Sequence, residues 1–325
     1  MTEISDREHY FSLIREFEHR PFVQTEGWYD FHEKQKPGSV RLFVDNPDAP
    51  EVACLAHVKK LAGLKMLMIQ GECLKSGAVE VAKIRQFYGS FRALDFDIIE
   101  VNSFLPYQTA YEIGIREAGY LRPVGLFSIH LSLWIDLTQP IKYNDNWKRN
   151  IRLAEKSDLR FRLIDTPQPA DAAAFAALYR ELIEDKAISH SISAVQTELL
   201  LSTGNFGLAI VTNAEEEWLS AIIYHKSGGH AGLLYAAKGE KAKACGATFF
   251  MYNELFSALK ARDFISFDME RLLPSTHSSQ GVFQFKQGVK GRMVTYNGEW
   301  SWYKRSYLRP LMYFVKRFLM KRTEM

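Results

Sequence analysis

Lys148, Arg152 and Lys156 stand at i, i+4 and i+8 with Arg149 beside them, so a single helix would carry a stripe of cations. Such a stripe could meet the phosphates of a nucleic acid, and it could equally be a solvated helix face. A second basic cluster closes the chain. The last 23 residues hold seven Lys or Arg against the lone Glu324, although the whole chain is only +3. There Leu308, Leu311, Met312, Val315 and Leu319 share a helical face among Lys304, Arg305, Arg309, Lys316, Arg317, Lys321 and Arg322. A basic amphipathic helix of this kind can rest on an anionic membrane or pack back on the body as a final helix.

Other chemistries lack their residues. The nine histidines include no HExxH pair, and His225 and His230 border a turn and read as structural. No GxSxG, GxGxxG or Walker lysine loop occurs, which leaves serine hydrolysis, dinucleotide redox and nucleotide hydrolysis without support. Cys54, Cys73 and Cys245 are too few and too scattered for a disulfide framework or a zinc ribbon. No metal site is expected.

With 325 residues, 47% hydrophobic and 24% charged, the chain is globular and longer than one ordinary domain. No signal-peptide pattern opens it and no run of about 18 apolar residues occurs, so a cytoplasmic protein is expected.

The elements that must position these residues fall into a pattern that occurs twice. A helix capped by Ser5 and a short helix from Thr25 precede strands at Val40–Val44, Val52–Val58 and Met66–Ile69. A helix from about Ala78 to Leu94, a strand at Ile98–Val101 and a helix at Tyr107–Ala118 follow. A strand at Phe127–Ile135, with strict apolar alternation, completes the set. The second half offers a basic helix at Asn146–Lys156, a strand at Arg160–Leu163 and a helix at Ala170–Lys186. Strands at Phe206–Val211, Trp218–Tyr224 and Ala231–Ala236, a helix at Cys245–Ala261 and the strand Ile265–Asp268 come next. A short helix near Gln280–Lys286 and the strand Met293–Tyr296 end the pattern. The order resembles the acyl-CoA N-acyltransferase (GNAT) architecture. The expected fold is α/β with mixed sheets, in two tandem GNAT-like acyltransferase domains at 1–138 and 139–302, followed by a basic helix at 303–325.

Several segments together resemble the Fem-type (FemABX) aminoacyltransferases. They are Phe22-Val23-Gln24 with Trp28, Ile135-Asp136-Leu137, and Trp147-Lys148-Arg149-Asn150-Ile151-Arg152-Leu153-Ala154. Leu234-Tyr235-Ala236 and Phe285-Lys286-Gln287-Gly288-Val289-Lys290-Gly291 complete the ordered set, which spans about residues 20–300. The resemblance implies transfer of an amino acid from aminoacyl-tRNA to the amine of a peptidoglycan-precursor peptide, on a UDP-muramyl-peptide or a lipid-linked precursor. The chain departs from the family pattern in three places. It has no coiled-coil arm, it places Glu100 and Asn102 where a first-domain carboxylate is expected, and Glu270-Arg271-Leu272-Leu273-Pro274 replaces a glycine-rich stretch after Asp268.

Aminoacyl transfer to an amine is downhill and needs no metal or redox cofactor, with aminoacyl-tRNA serving as co-substrate. It requires both substrates held together, a proton acceptor and an oxyanion partner. The resemblance and the chemistry both point to Lys286 as the oxyanion partner; the alternative is an exposed lysine at a helix end. Tyr235 could donate to a substrate carbonyl or phosphate, or be core. Phe285 is a candidate substrate contact, with packing or the positioning of Lys286 as the favoured reading. Lys36, Tyr179 and Lys186 are candidate contacts for an anionic sugar-nucleotide, or ordinary surface residues. Glu100 is a candidate proton acceptor, or a plain strand-end acid. Lys148, Arg149 and Arg152 are the tRNA candidates. Two rival readings stand beside this one: a CoA-dependent N-acyltransferase using acetyl-CoA or another acyl-CoA, and a noncatalytic tRNA- or membrane-binding protein. Against the first, Lys238–Thr248 lacks the usual [RQ]xxGx[GA] cradle for pyrophosphate, keeping only Gly246.

Overall fold

A computed structural model describes the chain except residues 62, 77–78, 124–130, 187–191, 271, 273–279, 316–317 and 319–325, and except the side chains of residues 185–186. The chain begins with β1 (Thr2–Glu3), α1 (Arg7–Leu13), α2 (Glu26–Gln35), β2 (Val40–Val44), β3 (Val52–Leu61), β4 (Leu64–Gln70) and β5 (Cys73–Leu74). It continues through α3 (Val81–Ser90), β6 (Ile98–Pro106), α4 (Thr109–Glu117), β7 (Leu131–Asp136), α5 (Asp145–Ala154), β8 (Arg160–Ile164), α6 (Pro169–Lys186) and α7 (Ala194–Leu201). The last elements are β9 (Phe206–Thr212), β10 (Trp218–Ser227), β11 (His230–Lys238), α8 (Ala247–Lys260), β12 (Ser266–Asp268), α9 (Gln280–Gln287), β13 (Arg292–Tyr303) and α10 (Leu308–Phe314). Two compact units result, one of residues 1–131 with 294–325 and one of residues 132–293.

The first unit orders its strands β1-β2-β3-β4-β6-β13, with β5 added to β3. Only β4 and β6 run parallel. Alternation decides which face each strand residue serves. Cys54, Ala56, Leu67, Ile69, Ile99, Val101 and Trp300 meet Ile84, Phe87 and Tyr88 of α3 and Tyr111 and Ile115 of α4. Leu42, Val44, Ala53 and Leu55 turn the other way and bury Tyr10 and Phe11 of α1, with Ile14 beside them. Gly114 lets α4 close on α3, since a Cβ there would lie 2.6 Å from the Val81 carbonyl oxygen.

Gln24 explains the Phe22-Val23-Gln24 motif. The β3–β4 ladder ends at Ala56 and Ile69, and the fully buried Gln24 amide takes over. Its Nε2 donates to the carbonyls of Leu55 (3.1 Å) and Gln70 (2.8 Å), while its Oε1 accepts from the Leu55 amide (2.6 Å). A side chain thus replaces the missing rungs of the ladder.

The second unit orders its strands β7-β12-β11-β10-β9-β8, with β11 and β12 parallel and the other pairs antiparallel. Each unit therefore draws its outermost strand on one side from beyond the expected boundary. Strand β7, read from sequence as the end of the first domain, pairs with β12 of the second unit. Strand β13, read as a short Met293–Tyr296 strand of the second domain, runs on to Tyr303 and pairs with β6 of the first. Ladder partners this far apart in sequence leave no local signal, which is why the division at 138 and 302 differs from the compact units.

Smaller corrections follow from capping. Asp6, not Ser5, caps α1, accepting from the amides of Glu8 and His9. A helix not foreseen, α7, begins at a capping box of Ser193 and Gln196. Most of the expected 127–135 strand before Leu131 lies outside the described residues. The start of the terminal helix packs on the first unit, where Leu308 and Met312 are buried with Met66 and Ile98; Leu311, expected on the same face, is exposed, and Leu319 lies outside the described residues. Among the described residues no helix is long and apolar enough to cross a membrane.

Candidate active site in the second unit

The parallel pair of the second unit opens after three rungs. Strands β11 and β12 match His230 with Ser266, Ala231 with Phe267 and Gly232 with Asp268, and β12 then ends. Among the described residues strand β11 continues to Lys238 paired with β10 alone, with Leu234 skipped in the register as a bulge between Ile223–Tyr235 and Tyr224–Leu233. A bulge beside an open edge re-aims backbone donors and side chains, a common device at active sites. In the first unit the equivalent parallel pair, β4 and β6, stays matched from Met66–Ile98 to Gln70–Asn102. Its edge is closed.

Polar groups gather where β12 ends. The Asp268 carboxylate accepts from the Ser132 hydroxyl, from Trp134 Nε1 at 2.9 Å and from the Glu270 amide at 2.8 Å. Glu270 itself has φ of 53°, a left-handed conformation that costs a residue with a Cβ roughly 1 kcal/mol or more. Its carboxylate lies 3.3 Å from His225 Nε2, and its carbonyl accepts a short hydrogen bond from the Lys286 ammonium. His225 reaches this point because it faces Gly232 across the hairpin. A Cβ at Gly232 would sit 2.2 Å from His225 Nε2 and 3.2 Å from the Asp268 Cβ. Burial drives the His225 imidazole down to about 4, against an upward pull from Asp268, so the ring is neutral at pH 7.

Lys286 is only 7% exposed, which sets aside the alternative of an exposed lysine at a helix end. The hydrophobic neighbours that hold it are legible in its motif. Trp147 Nε1 donates to the Phe285 carbonyl at 2.8 Å, and the Phe285 ring packs on Trp147 (4.8 Å), Phe249 (5.1 Å) and Tyr252 (5.4 Å). Gly288 makes room for this, since a Cβ there would meet Trp147 at 2.2 Å. Gly291 likewise clears the Trp134 carbonyl, 2.6 Å from its would-be Cβ. Phe285 is therefore a packing residue that fixes the turn carrying Lys286.

Tyr235, on the open stretch of β11, meets Tyr179 of α6 edge to face at 5.6 Å. Both phenols are half-buried, and burial raises both above the ordinary tyrosine value, so both are protonated donors. Lys148, Arg149 and Arg152 lie exposed along α5, with Lys148 3.7 Å from Asp145 and Arg149 donating to Asn146 Oδ1 at 2.9 Å. The side chain of Lys186, the last residue of α6, lies outside the described residues. Glu100 (half-buried on β6) and Lys36 (exposed at the end of α2) belong to the first unit.

The sequence reading missed His225, Glu270, Asp268 and Ser132 as members of one cluster. One signal was available for the first: the Gly228-Gly229 hairpin sets His225 opposite Gly232, a large ring over a residue without a side chain. The others come together only through the β12–β7 pairing, which the sequence does not announce.

The first turn of α8 is closed where a GNAT-like fold would cradle a pyrophosphate. Gly246 and Ala247 are buried there, and a Cβ on Gly246 would lie 2.5 Å from the Asn150 carbonyl of α5. Among the described residues no group of three or more His, Cys, Asp or Glu could hold a metal ion.

The fold is similar to that of several solved structures. A structure of FemX superposes with a TM-score of 0.77 at 11% identity, covering 96% of this chain and 100% of its own. L-PGS from Bacillus licheniformis gives 0.64 at 15% identity, over 100% and 99% of the two chains. A tandem GNAT protein from the clavulanic acid biosynthesis pathway gives 0.56 at 11% identity, over 94% and 98%. The expected mixed α/β fold with tandem GNAT-like domains is thereby established. No family model and no curated protein matches the sequence.

Proposed function

We propose that the chain is an aminoacyltransferase whose reaction takes place at the open end of β11 and β12, on the amino acid of an aminoacyl-tRNA. The observation that carries this reading is the buried Lys286 ammonium, held on the Glu270 carbonyl just past the last described rung of the β11–β12 pair. A cation fixed in a site of low dielectric is worth most where negative charge develops, on the carbonyl oxygen of the tetrahedral intermediate. The acceptor amine attacks the ester carbonyl. A C–N bond forms, the C–O bond to the terminal ribose of the tRNA breaks, and the ribose oxygen leaves with a proton.

The incoming ammonium must also shed a proton. Glu100 is the acceptor suggested by sequence, and Glu270 is the one suggested by its place beside Lys286. Tyr235 and Tyr179 are assigned to the substrate carbonyl or phosphate, and the exposed α5 cations Lys148, Arg149 and Arg152 to the tRNA backbone. Lys36 and Lys186 are assigned to an anionic sugar-nucleotide, with Phe285 supporting Lys286 from behind. The acceptor is a peptidoglycan-precursor peptide, carried on UDP-muramyl or on lipid. The superposed FemX and L-PGS structures support the transferase class, and the closed first turn of α8 weighs against CoA as donor.

The test follows labelled amino acids from a mixture of charged tRNAs onto UDP-muramyl-peptide and lipid-linked precursors, with labelled acetyl-CoA in parallel. Label on a precursor, lost with Lys286→Ala, is the expected result. Label arriving only from acetyl-CoA would overturn the reading in favour of CoA-dependent acylation. Comparing Glu100→Gln with Glu270→Gln then identifies the proton acceptor.

A further inference from the structure

The terminal helix carries two apolar stripes, and only one of them is used. Leu308 and Met312, four residues apart, are buried against Met66 and Ile98 and fasten the helix to the first unit. Tyr307, Leu311, Phe314 and Phe318 follow one another at i, i+4, i+7 and i+11, the spacing of a single helical face. They are 54%, 43%, 53% and 56% exposed, so four large side chains in a row face water. The Phe314 and Phe318 rings lie 4.8 Å apart, which makes the far end one aromatic patch.

Charge decides what can cover it. Lys304, Arg305 and Arg309 are exposed at the near end, and Lys316, Arg317, Lys321 and Arg322 follow in the sequence. A protein groove would have to be apolar at its centre and acidic along its whole rim. A bilayer with anionic headgroups supplies both properties at once, with hydrocarbon below the phosphates, and aromatic side chains favour the boundary between them. Nucleic acid would satisfy the cations and leave the aliphatic and aromatic row wet.

We propose that the Tyr307–Phe318 face is a docking surface for an anionic phospholipid bilayer, with Leu308 and Met312 holding the helix to the body while the neighbouring stripe enters the lipid. This goes beyond the transfer reaction and does not depend on it. The folded protein becomes a peripheral membrane protein, tethered by one short helix.

The test is co-sedimentation of the full chain with vesicles of phosphatidylcholine containing about a third phosphatidylglycerol, against phosphatidylcholine alone, at low and high salt. Binding is expected to the anionic vesicles only, weakening at least tenfold in high salt. The combined Leu311→Ser, Phe314→Ser and Phe318→Ser variant is expected to lose at least tenfold in binding with its unfolding midpoint unchanged, because those side chains are exposed. Arg305→Gln with Arg309→Gln is expected to lose several-fold through charge alone. Failure of the wild type to sediment, equal binding to neutral vesicles, or wild-type binding by the triple variant would each overturn the proposal. So would a dimer in solution that the triple variant dissociates without any vesicle binding.

Discussion

The Lys286 ammonium is bonded to the backbone carbonyl of Glu270, a residue whose φ of 53° lies in the left-handed region. Backbone strain and a buried cation therefore meet at one peptide. The unusual backbone of Glu270 sends its carbonyl to the lysine and its carboxylate to His225, while its amide is pinned by Asp268. An ordinary extended residue after β12 could not serve all three partners from one position.

Lys286→Ala is expected to lower kcat for aminoacyl transfer by roughly 10²–10³ with little change in KM, the size seen when one oxyanion donor is removed. Lys286→Met keeps the bulk of the stem and loses the charge. Steady-state kinetics of both, beside their thermal unfolding, would separate chemistry from packing. Equal loss of activity and of folded protein would assign Lys286 a structural role only.

Glu270→Gly is expected to relieve the left-handed strain and to hold or raise the unfolding midpoint, a change of about 1 kcal/mol in the favourable direction before the lost His225 contact is subtracted. Transfer activity should fall nonetheless, because the carboxylate is gone. A variant both less stable and fully active would show that the strain serves nothing at this site.

The helices of this fold were largely legible because their apolar spacing is local: α2, α6, α8 and α9 lie close to where periodicity put them. The run Phe285–Gly291 also stood out in the sequence, and its two glycines clear Trp147 and the Trp134 carbonyl. What the sequence hid is non-local. Nothing in residues 131–136 says that they pair with Ser266–Asp268, and nothing in residues 297–303 says that they pair with β6. The Asp268 cluster depends on the first of these ladders, so its members looked unrelated until the strands were placed. Phe285 was hidden in a different way, since an aromatic beside a candidate catalytic residue reads equally well as contact or core.

Gln24→Ala should destabilise the protein by roughly 2–4 kcal/mol, measured by urea unfolding with an unchanged m-value. The mutation strands the Leu55 amide and the carbonyls of Leu55 and Gln70 in a buried position. Gln24→Glu should do worse, because it brings an uncompensated charge to carbonyl oxygens. A loss below 1 kcal/mol would mean that β3 and β4 can close their own ladder.

Between about pH 4 and pH 7 stability should respond to two buried sets of groups that pull in opposite directions. Burial pushes the Glu72 carboxyl up to about 7, although Ser103, Tyr88 and Tyr111 all donate to it and pull the other way. A carboxyl raised above its unfolded value holds a proton the unfolded chain has released, so its contribution is present below about pH 4.5 and is lost as pH rises through about 7. On the acid side, burial drives His32 to about 4 and His57 to about 3, the latter also lowered by His32, whose ring centroid lies 4.0 Å away. Neither nitrogen of the buried His57 ring has a hydrogen-bond partner among the described residues. A depressed imidazole contributes above its unfolded value near 6.5 and loses that contribution as pH falls toward the folded value. Glu72→Gln should therefore gain stability over the wild type at pH 8, by an amount on the order of 2–3 kcal/mol, and lose the advantage at pH 5. His57→Leu should do the reverse, gaining at pH 5 and changing little at pH 8. Urea midpoints of the three proteins across that range settle the assignment. Parallel curves for wild type and Glu72→Gln would remove Glu72 as the origin of a loss between about pH 4.5 and 7.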